Sequence, residues 1–205
     1  MSKKLVVATR NPGKITEFRR ILDAISAGAI ELVSIDQFPD LVDVEETGST
    51  FEENALLKAR YTAKMTGLPS ISDDSGLCID ALGGAPGIFS ARWAGVHGDD
   101  KANLEKVLEQ LSSVPDEKRG AYFICVAALV MPDGREMVAE GRFEGRILHA
   151  AIGDQGFGYD PIFAPLGMSI SSAQMSPQEK DACSHRGKSL RAIAPHVIEM
   201  LKGLG

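Results

Sequence analysis

A short apolar run, Leu5 to Ala8, ends in Asn11-Pro12-Gly13, and Ile15, Phe18, Leu22 and Ile25 then recur at helical spacing. Strand, tight turn and helix make a βα unit, which commits the first strand to a buried place in a sheet. Ile30 to Ile35 reads as a second strand, followed by a polar, acidic loop from Asp36 to Glu46. Thr50 and Glu53 have capping-box spacing and start a helix reaching about Thr66, stopped by Gly67 and Pro69. Pro69 to Ser72 is expected to be a short strand feeding Asp73 and Asp74, with Leu77 to Leu82 a separate strand. Gly83 to Gly87 is a loop, and Asp99 to Leu111 a helix. Ala121 to Met131 is a long apolar run before a Pro132-Asp133-Gly134 turn; Arg135 to Glu140 pairs back and Arg142 to Leu148 adds a third strand. That middle section predicts an antiparallel meander. Ser176-Pro177-Gln178-Glu179 opens another capped helix, and Leu190, Ile193, Val197 and Leu201 mark a last one, which Pro195 should kink or break.

The expected fold class is therefore α/β: a mixed sheet with flanking helices, parallel at first and antiparallel later, with a cleft between two lobes as the natural pocket. A chain of 205 residues fits one such domain. Its net charge of -6 argues against a nucleic-acid-binding face but leaves room for a local basic pocket. Cys78, Cys125 and Cys183 form no CxxC pair, so neither a disulfide framework nor a zinc site is expected, and a reducing compartment fits best. The apolar run after Lys3-Lys4 is too short for a signal peptide, and no stretch is long enough to span a membrane. The expectation is a cytoplasmic protein. His97 and His149 lack partners in sequence and His196 falls in the last helix; all three read as structural or solvated.

Five segments carry chemistry. Thr9-Arg10-Asn11-Pro12-Gly13-Lys14 sits where a strand meets a helix N-terminus, so it is either a capped turn or a phosphate cradle; it lacks the Walker pattern. Glu45-Glu46-Thr47-Gly48 precedes a helix on which Asn54 and Lys58, four apart, share a face. Asp73-Asp74-Ser75-Gly76 places two adjacent carboxylates that repel each other, which magnesium would relieve. Gly156-Phe157-Gly158-Tyr159-Asp160 combines flexible backbone with two aromatic rings able to face a planar base, and Lys180, His185, Arg186 and Lys188 gather cations downstream. Arg186 is suited to fork onto a carbonyl or phosphate oxygen, and Lys180 to act as a point charge on phosphate.

These blocks, together with Asp73 to Arg92, occur in the order and spacing of the inosine triphosphate pyrophosphatase family, which the chain resembles nearly end to end. Members are house-cleaning enzymes that cleave ITP, dITP and XTP, non-standard purine nucleoside triphosphates, to the monophosphate and pyrophosphate. The resemblance implies an elongated two-lobed fold, one pyrophosphatase domain over residues 1–205, Mg2+ as cofactor and a homodimer. It further implies phosphate contacts from Thr9, Asn11, Lys14 and Lys58, and a magnesium ligand at Glu45 or Glu46. Asp74 would be metal ligand and proton acceptor, with Ser75 beside the substrate. Phe157, Gly158, Tyr159 and Asp160 would form the base loop, with Lys180, His185 and Arg186 as further contacts, Arg186 reading the 6-oxygen of the purine. Two rivals stay open: a Maf-type pyrophosphatase of other base preference, and a nucleotide sensor without catalysis.

Overall fold

The computed structural model describes residues 3–26 and 28–202. Among them, six strands form one sheet: β1 (Lys3–Val7), β2 (Ile30–Ser34), β3 (Ser70–Ile79), β4 (Gly120–Val130), β5 (Glu136–Ile147) and β6 (Phe163–Pro165). Their order is β2-β1-β3-β4-β5-β6. The α-helices are α1 (Pro12–Ser26), α2 (Phe51–Thr66), α3 (Asp100–Gln110), α4 (Pro177–Cys183) and α5 (His185–Lys202). β1 runs parallel to β2 and β3, with Leu5 opposite Leu32 and Val6 opposite Ser70. β5 and β6 run antiparallel, Ile147 opposite Phe163. The mixed sheet expected from the sequence is thus present. No helix among the described residues is long and apolar enough to cross a membrane.

The chain divides into two compact units. The first gathers the described residues of Met1–Asp74, Cys125–Gly141 and Arg186–Gly205. Here β4 explains its own composition. Ala127 and Leu129 pack with Leu5, Phe18 and Leu22 and with Leu190, Ile193 and Val197 of α5. The alternate residues Val126, Ala128 and Val130 pack on Ala55, Ala59 and Ala63 of α2. A strand covered by helices on both faces has no polar side to show, so it reads as a continuous apolar run. The small alanines of α2 let that helix lie close to the sheet. Its N-terminus is closed by Thr50, whose Oγ1 accepts from the Glu53 N–H at 3.1 Å, and its C-terminus by Gly67 in the left-handed region at φ 66°.

The second unit comprises Ser75–Ile124 and Arg142–His185. Leu77, Ile79, Leu104, Val107, Phe123, Phe143, Tyr159 and Phe163 form its core. Arg119 is buried beside them and donates to the carbonyls of Leu111 at 2.6 Å and of Ile147 and Leu148 at 2.8 Å each. It ties the end of the α3 segment to the end of β5. Ser176 and Glu179 complete the expected capping box on α4, with Pro177 in the first turn.

Three expectations need correction. Asp73 to Gly76 does not end a strand; β3 passes through them unbroken. β5 likewise absorbs both the Arg135–Glu140 and Arg142–Leu148 segments as one strand. Pro195 lies inside α5, so of the kink or break expected there the break is absent. Pro195 and Arg191, the residue four before it, are both exposed. The carbonyl that loses its helical donor there belongs to the solvent side, where water can replace the missing bond.

Candidate functional site

Alternation along β3 sorts the adjacent carboxylates onto opposite faces of the sheet. Asp73 shares its face with Ile71, which packs against α1 and α5. Asp74 shares its face with Ser72, whose hydroxyl donates to the Ala55 carbonyl of α2. The two side chains therefore meet different partners.

Asp73 is enclosed by cations. Arg186 forks onto its Oδ2 through Nε at 3.2 Å and Nη2 at 2.8 Å, and Lys14 Nζ lies 3.1 Å from Oδ1. The remaining Arg186 nitrogen, Nη1, donates to Glu17 of α1, itself buried. Burial opposes ionisation of Asp73, but Arg186, then Lys14 and Lys58, outweigh it and hold the carboxyl well below the usual carboxylate range. Burial likewise works against the Arg186 charge, and Asp73 and Glu17 more than compensate.

Asp74 has a different environment. Asn54 Nδ2 donates to its Oδ2 at 3.1 Å, and Lys58 Nζ is 3.6 Å from its Oδ1. Lys58 also meets Glu46 Oε1 at 2.5 Å. Asn54 and Lys58, one helical turn apart on α2, thus present a donor and a cation to one carboxylate. Burial pushes the Asp74 carboxyl up, against Lys58 and Lys14, and the Glu46 charge adds to the rise. A raised carboxyl is a stronger base, the property a proton acceptor needs.

The loop bearing Glu46 is held at two points. Asn54 Oδ1 accepts from the Gly48 N–H at 2.8 Å, and a Cβ on Gly48 would lie 2.6 Å from that same oxygen. Farther up, Arg10 grips Asp43 at 2.8 Å, Asp36 at 3.0 Å and the Leu41 carbonyl at 2.6 Å. The β1–α1 turn is built from its own side chains. Thr9 Oγ1 accepts from the Asn11 N–H, and Asn11 Oδ1 accepts from the Lys14 N–H at 3.1 Å, capping α1.

The second unit holds the glycine-rich loop. Asp160 is buried, and its Oδ2 accepts from the Phe157 N–H at 2.9 Å and from Lys180 Nζ at 2.6 Å. That ammonium also lies 5.1 Å from the centroid of the half-buried Phe157 ring. Asp100 accepts from the Gly158 N–H at 2.8 Å. Gly156 sits at φ 76°, and a Cβ there would overlap the Asp160 carboxylate. His185 is buried and stacks on Phe123, centroids 4.8 Å apart.

The structure brings Lys14, Lys58, Glu46 and Asp74 together in the first unit, with Thr9 and Asn11 in the turn that leads to Lys14. It separates Glu46 from Glu45, which is exposed. Ser75 follows Asp74 on β3 and is half-buried. Phe157, Gly158, Asp160, Lys180 and His185 belong to the second unit. Three expected roles change. Tyr159 is no platform for a ring: it is buried, and its hydroxyl donates to the Ser90 carbonyl at 2.8 Å. Arg186 is no base reader, since its guanidinium is buried and turned to Asp73 and Glu17. Lys180 is no point charge for phosphate, because its ammonium is buried against Asp160. Reasoning from sequence passed over Glu17, Asp100 and the bridging role of Asn54. Glu17 had a signal: it lies four residues before the buried Ile21 on α1, on the covered side of the helix.

A model of the Ham1 family matches residues 5–196. The dITP/XTP pyrophosphatase of Streptomyces avermitilis is 56% identical over 198 residues, covering 97% of this chain and 98% of that protein. Among solved structures, a nucleoside-triphosphatase / dITP/XTP pyrophosphatase from Mycobacterium abscessus aligns with a TM-score of 0.76 at 52% identity, covering 94% of this chain and 99% of the other. A HAM1 protein from Coxiella burnetii aligns with a TM-score of 0.85 at 42% identity, covering 96% and 99%.

Proposed function

The chain belongs to the Ham1 family, and from that premise we propose that it hydrolyses ITP, dITP and XTP to the nucleoside monophosphate and pyrophosphate. It is a nucleoside triphosphate pyrophosphatase, and the whole chain serves as one catalytic domain. The observation that best supports the chemistry is the convergence of Glu46 and Asp74 on one ammonium, with Asp74 backed by Asn54.

The donor set fits magnesium. Both carboxylates offer hard oxygens and already accommodate a cation between them. Among the described residues no group of three or more His, Cys, Asp or Glu stands ready for a metal. Two carboxylates suit an ion that takes one or two protein ligands and fills the rest with water and phosphate oxygens. Glu46 and Asp74 would hold it, and when bound it would neutralise phosphate charge and acidify a nearby water.

The chain's own groups do the rest. Asp74 accepts the proton of the water that attacks the α-phosphorus. Lys14 and Lys58 stabilise charge on the departing pyrophosphate, exchanging a carboxylate partner for phosphate oxygens. Arg186 and Glu17 keep Asp73 fixed and so hold the strand that presents Asp74. Phe157 stacks on the purine, its backbone held by Asp160 and its ring faced by Lys180, and a donor of this loop not already given to Asp160 or Asp100 meets the purine 6-oxygen. ATP has an amine donor at that position, and donor facing donor in a partly dry pocket costs on the order of 1–3 kcal/mol per unpaired group. A homodimer and a cytoplasmic site of action belong to the same proposal and rest on the family resemblance alone.

A substrate panel with magnesium tests the reading. ITP, dITP and XTP should release pyrophosphate rapidly, ATP very slowly and GTP slowly. Preference for a pyrimidine triphosphate, or tight ITP binding without turnover, would overturn it.

The base loop makes a second prediction. Gly156→Ala forces a side chain into a left-handed backbone position and into the Asp160 carboxylate. Asp160 must then loosen its hold on Lys180 and the Phe157 N–H. KM for ITP should rise by ~10-fold or more, the effect of losing about 1.4 kcal/mol of binding, with a smaller change in kcat. An unaltered KM in a folded variant would remove this loop from the substrate site.

A further inference from the structure

We propose that Lys58 is the stand-in for the metal: in the ligand-free protein its ammonium holds the place between Glu46 and Asp74, and metal arriving with a triphosphate displaces it onto phosphate. The inference rests on the reading that Glu46 and Asp74 are the metal's ligands.

Three observations carry it. The first is position. Lys58 Nζ is 2.5 Å from Glu46 Oε1 and 3.6 Å from Asp74 Oδ1, and the three side chains are only 16%, 21% and 8% exposed. The ammonium therefore lies between the two carboxylates, the place a metal held by both would take. The second is charge. Two carboxylates face one ammonium, and the Asn54 amide that also meets Asp74 is neutral. Lys14 lies against Asp73, and Arg186 is shared by Asp73 and Glu17. A divalent ion would bring the two carboxylates twice the charge that this ammonium brings them. The third is mobility. Lysine carries a compact charge on a four-carbon stem that can swing, whereas an arginine forked onto two oxygens is held in one geometry. Lys58 is built to leave; Arg186, forked onto Asp73, is built to stay.

A consequence follows for the order of binding. Metal entering alone must expel the ammonium from both of its carboxylate partners and supplies no anion in their place. Metal entering with a triphosphate supplies that anion. Lys58 thus couples the two ligands, each favouring the other by the same factor. A protein of this design takes up little free metal and assembles its site when the nucleotide comes.

Lys58→Met and Lys58→Gln test this by titration calorimetry with Mn2+ in the absence of nucleotide. Both variants should bind Mn2+ at least ~10-fold more tightly than the parent, a modest fraction of the effect of removing a unit charge a few ångströms away. The gain should vanish when Glu46→Gln is added, and the Mn2+-induced rise in melting temperature should be larger in the Lys58 variants than in the parent. If the Met variant folds only with metal, the polar Gln variant carries the comparison. Equal or weaker Mn2+ binding in the variants overturns the proposal, as does a gain that survives Glu46→Gln. The underlying metal reading fails separately, when Glu46→Gln and Asp74→Asn in the parent background leave Mn2+ affinity unchanged. Loss of Mn2+ binding in those two variants without any gain in the Lys58 variants rejects the stand-in role alone.

Discussion

Asp74→Asn should leave a folded protein that hydrolyses ITP at least ~10²-fold more slowly than the parent, the low end for loss of a general base. The substitution keeps the size of the side chain and an oxygen able to accept from Asn54, so the α2 face of β3 loses little packing. It removes the proposed proton acceptor and one of the two carboxylates proposed to hold the metal. Stability should not suffer. Burial raises the Asp74 carboxyl above its ordinary pKa of 3.8, so the fold favours the neutral form. A group shifted that way adds stability below its unfolded pKa and loses it as pH climbs through the folded value. A permanently neutral Asn avoids that loss at pH 7, and the variant should melt at or above the parent's temperature. Near-parental turnover in a folded Asp74→Asn protein would remove Asp74 from the reaction.

Asp73→Asn should behave in the opposite way. Its carboxylate is buried and held by Arg186 and Lys14. Removing one partner of a buried pair leaves uncompensated charge and costs ~3–5 kcal/mol, a large share of the total for a domain of ordinary stability. Denaturant unfolding should register that loss, while turnover per folded molecule falls less than in Asp74→Asn. The acid limb should change too. With its pKa depressed below 3.8, Asp73 contributes stability that is complete above the unfolded value and is drawn down as pH falls further. In Asp73→Asn that part of the acid dependence should be gone. A variant as stable as the parent would mean that Arg186 and Lys14 do not depend on Asp73.

The contrast between these neighbours shows how far the sequence was legible. Their separation onto two faces follows from strand alternation, and the caps of α2 and α4 follow from Thr50, Ser176 and Glu179. Local patterns of that kind sit within a few residues of each other. What compensates Asp73 does not. Arg186 lies 113 residues further along the chain, so in sequence the two carboxylates read as uncompensated and as the end of a strand. The same distance hid the true use of Arg186, whose position among other cations suggested a ligand contact. Gly141 interrupted the apolar pattern of β5 and made one strand look like two. The choice between Glu45 and Glu46 has no periodic signal at all, because the acidic loop is irregular; the proposal of Glu46 rests on its bond to Lys58 and on the Asn54–Gly48 bond beside it. Tyr159 was misjudged for another reason. An aromatic beside two glycines suits a ligand and a core equally, and only the hydrogen bond to Ser90 decides between them.

The central claim is attack of water at the α-phosphorus with Asp74 as base, and hydrolysis of ITP in heavy-oxygen water measures it most directly. The account predicts one heavy oxygen in each IMP formed, none in the pyrophosphate, and no release of orthophosphate, with the labelled product largely lost in Asp74→Asn. Heavy oxygen in the pyrophosphate, or stepwise release of orthophosphate through IDP, would place the attack at another phosphorus and contradict the account.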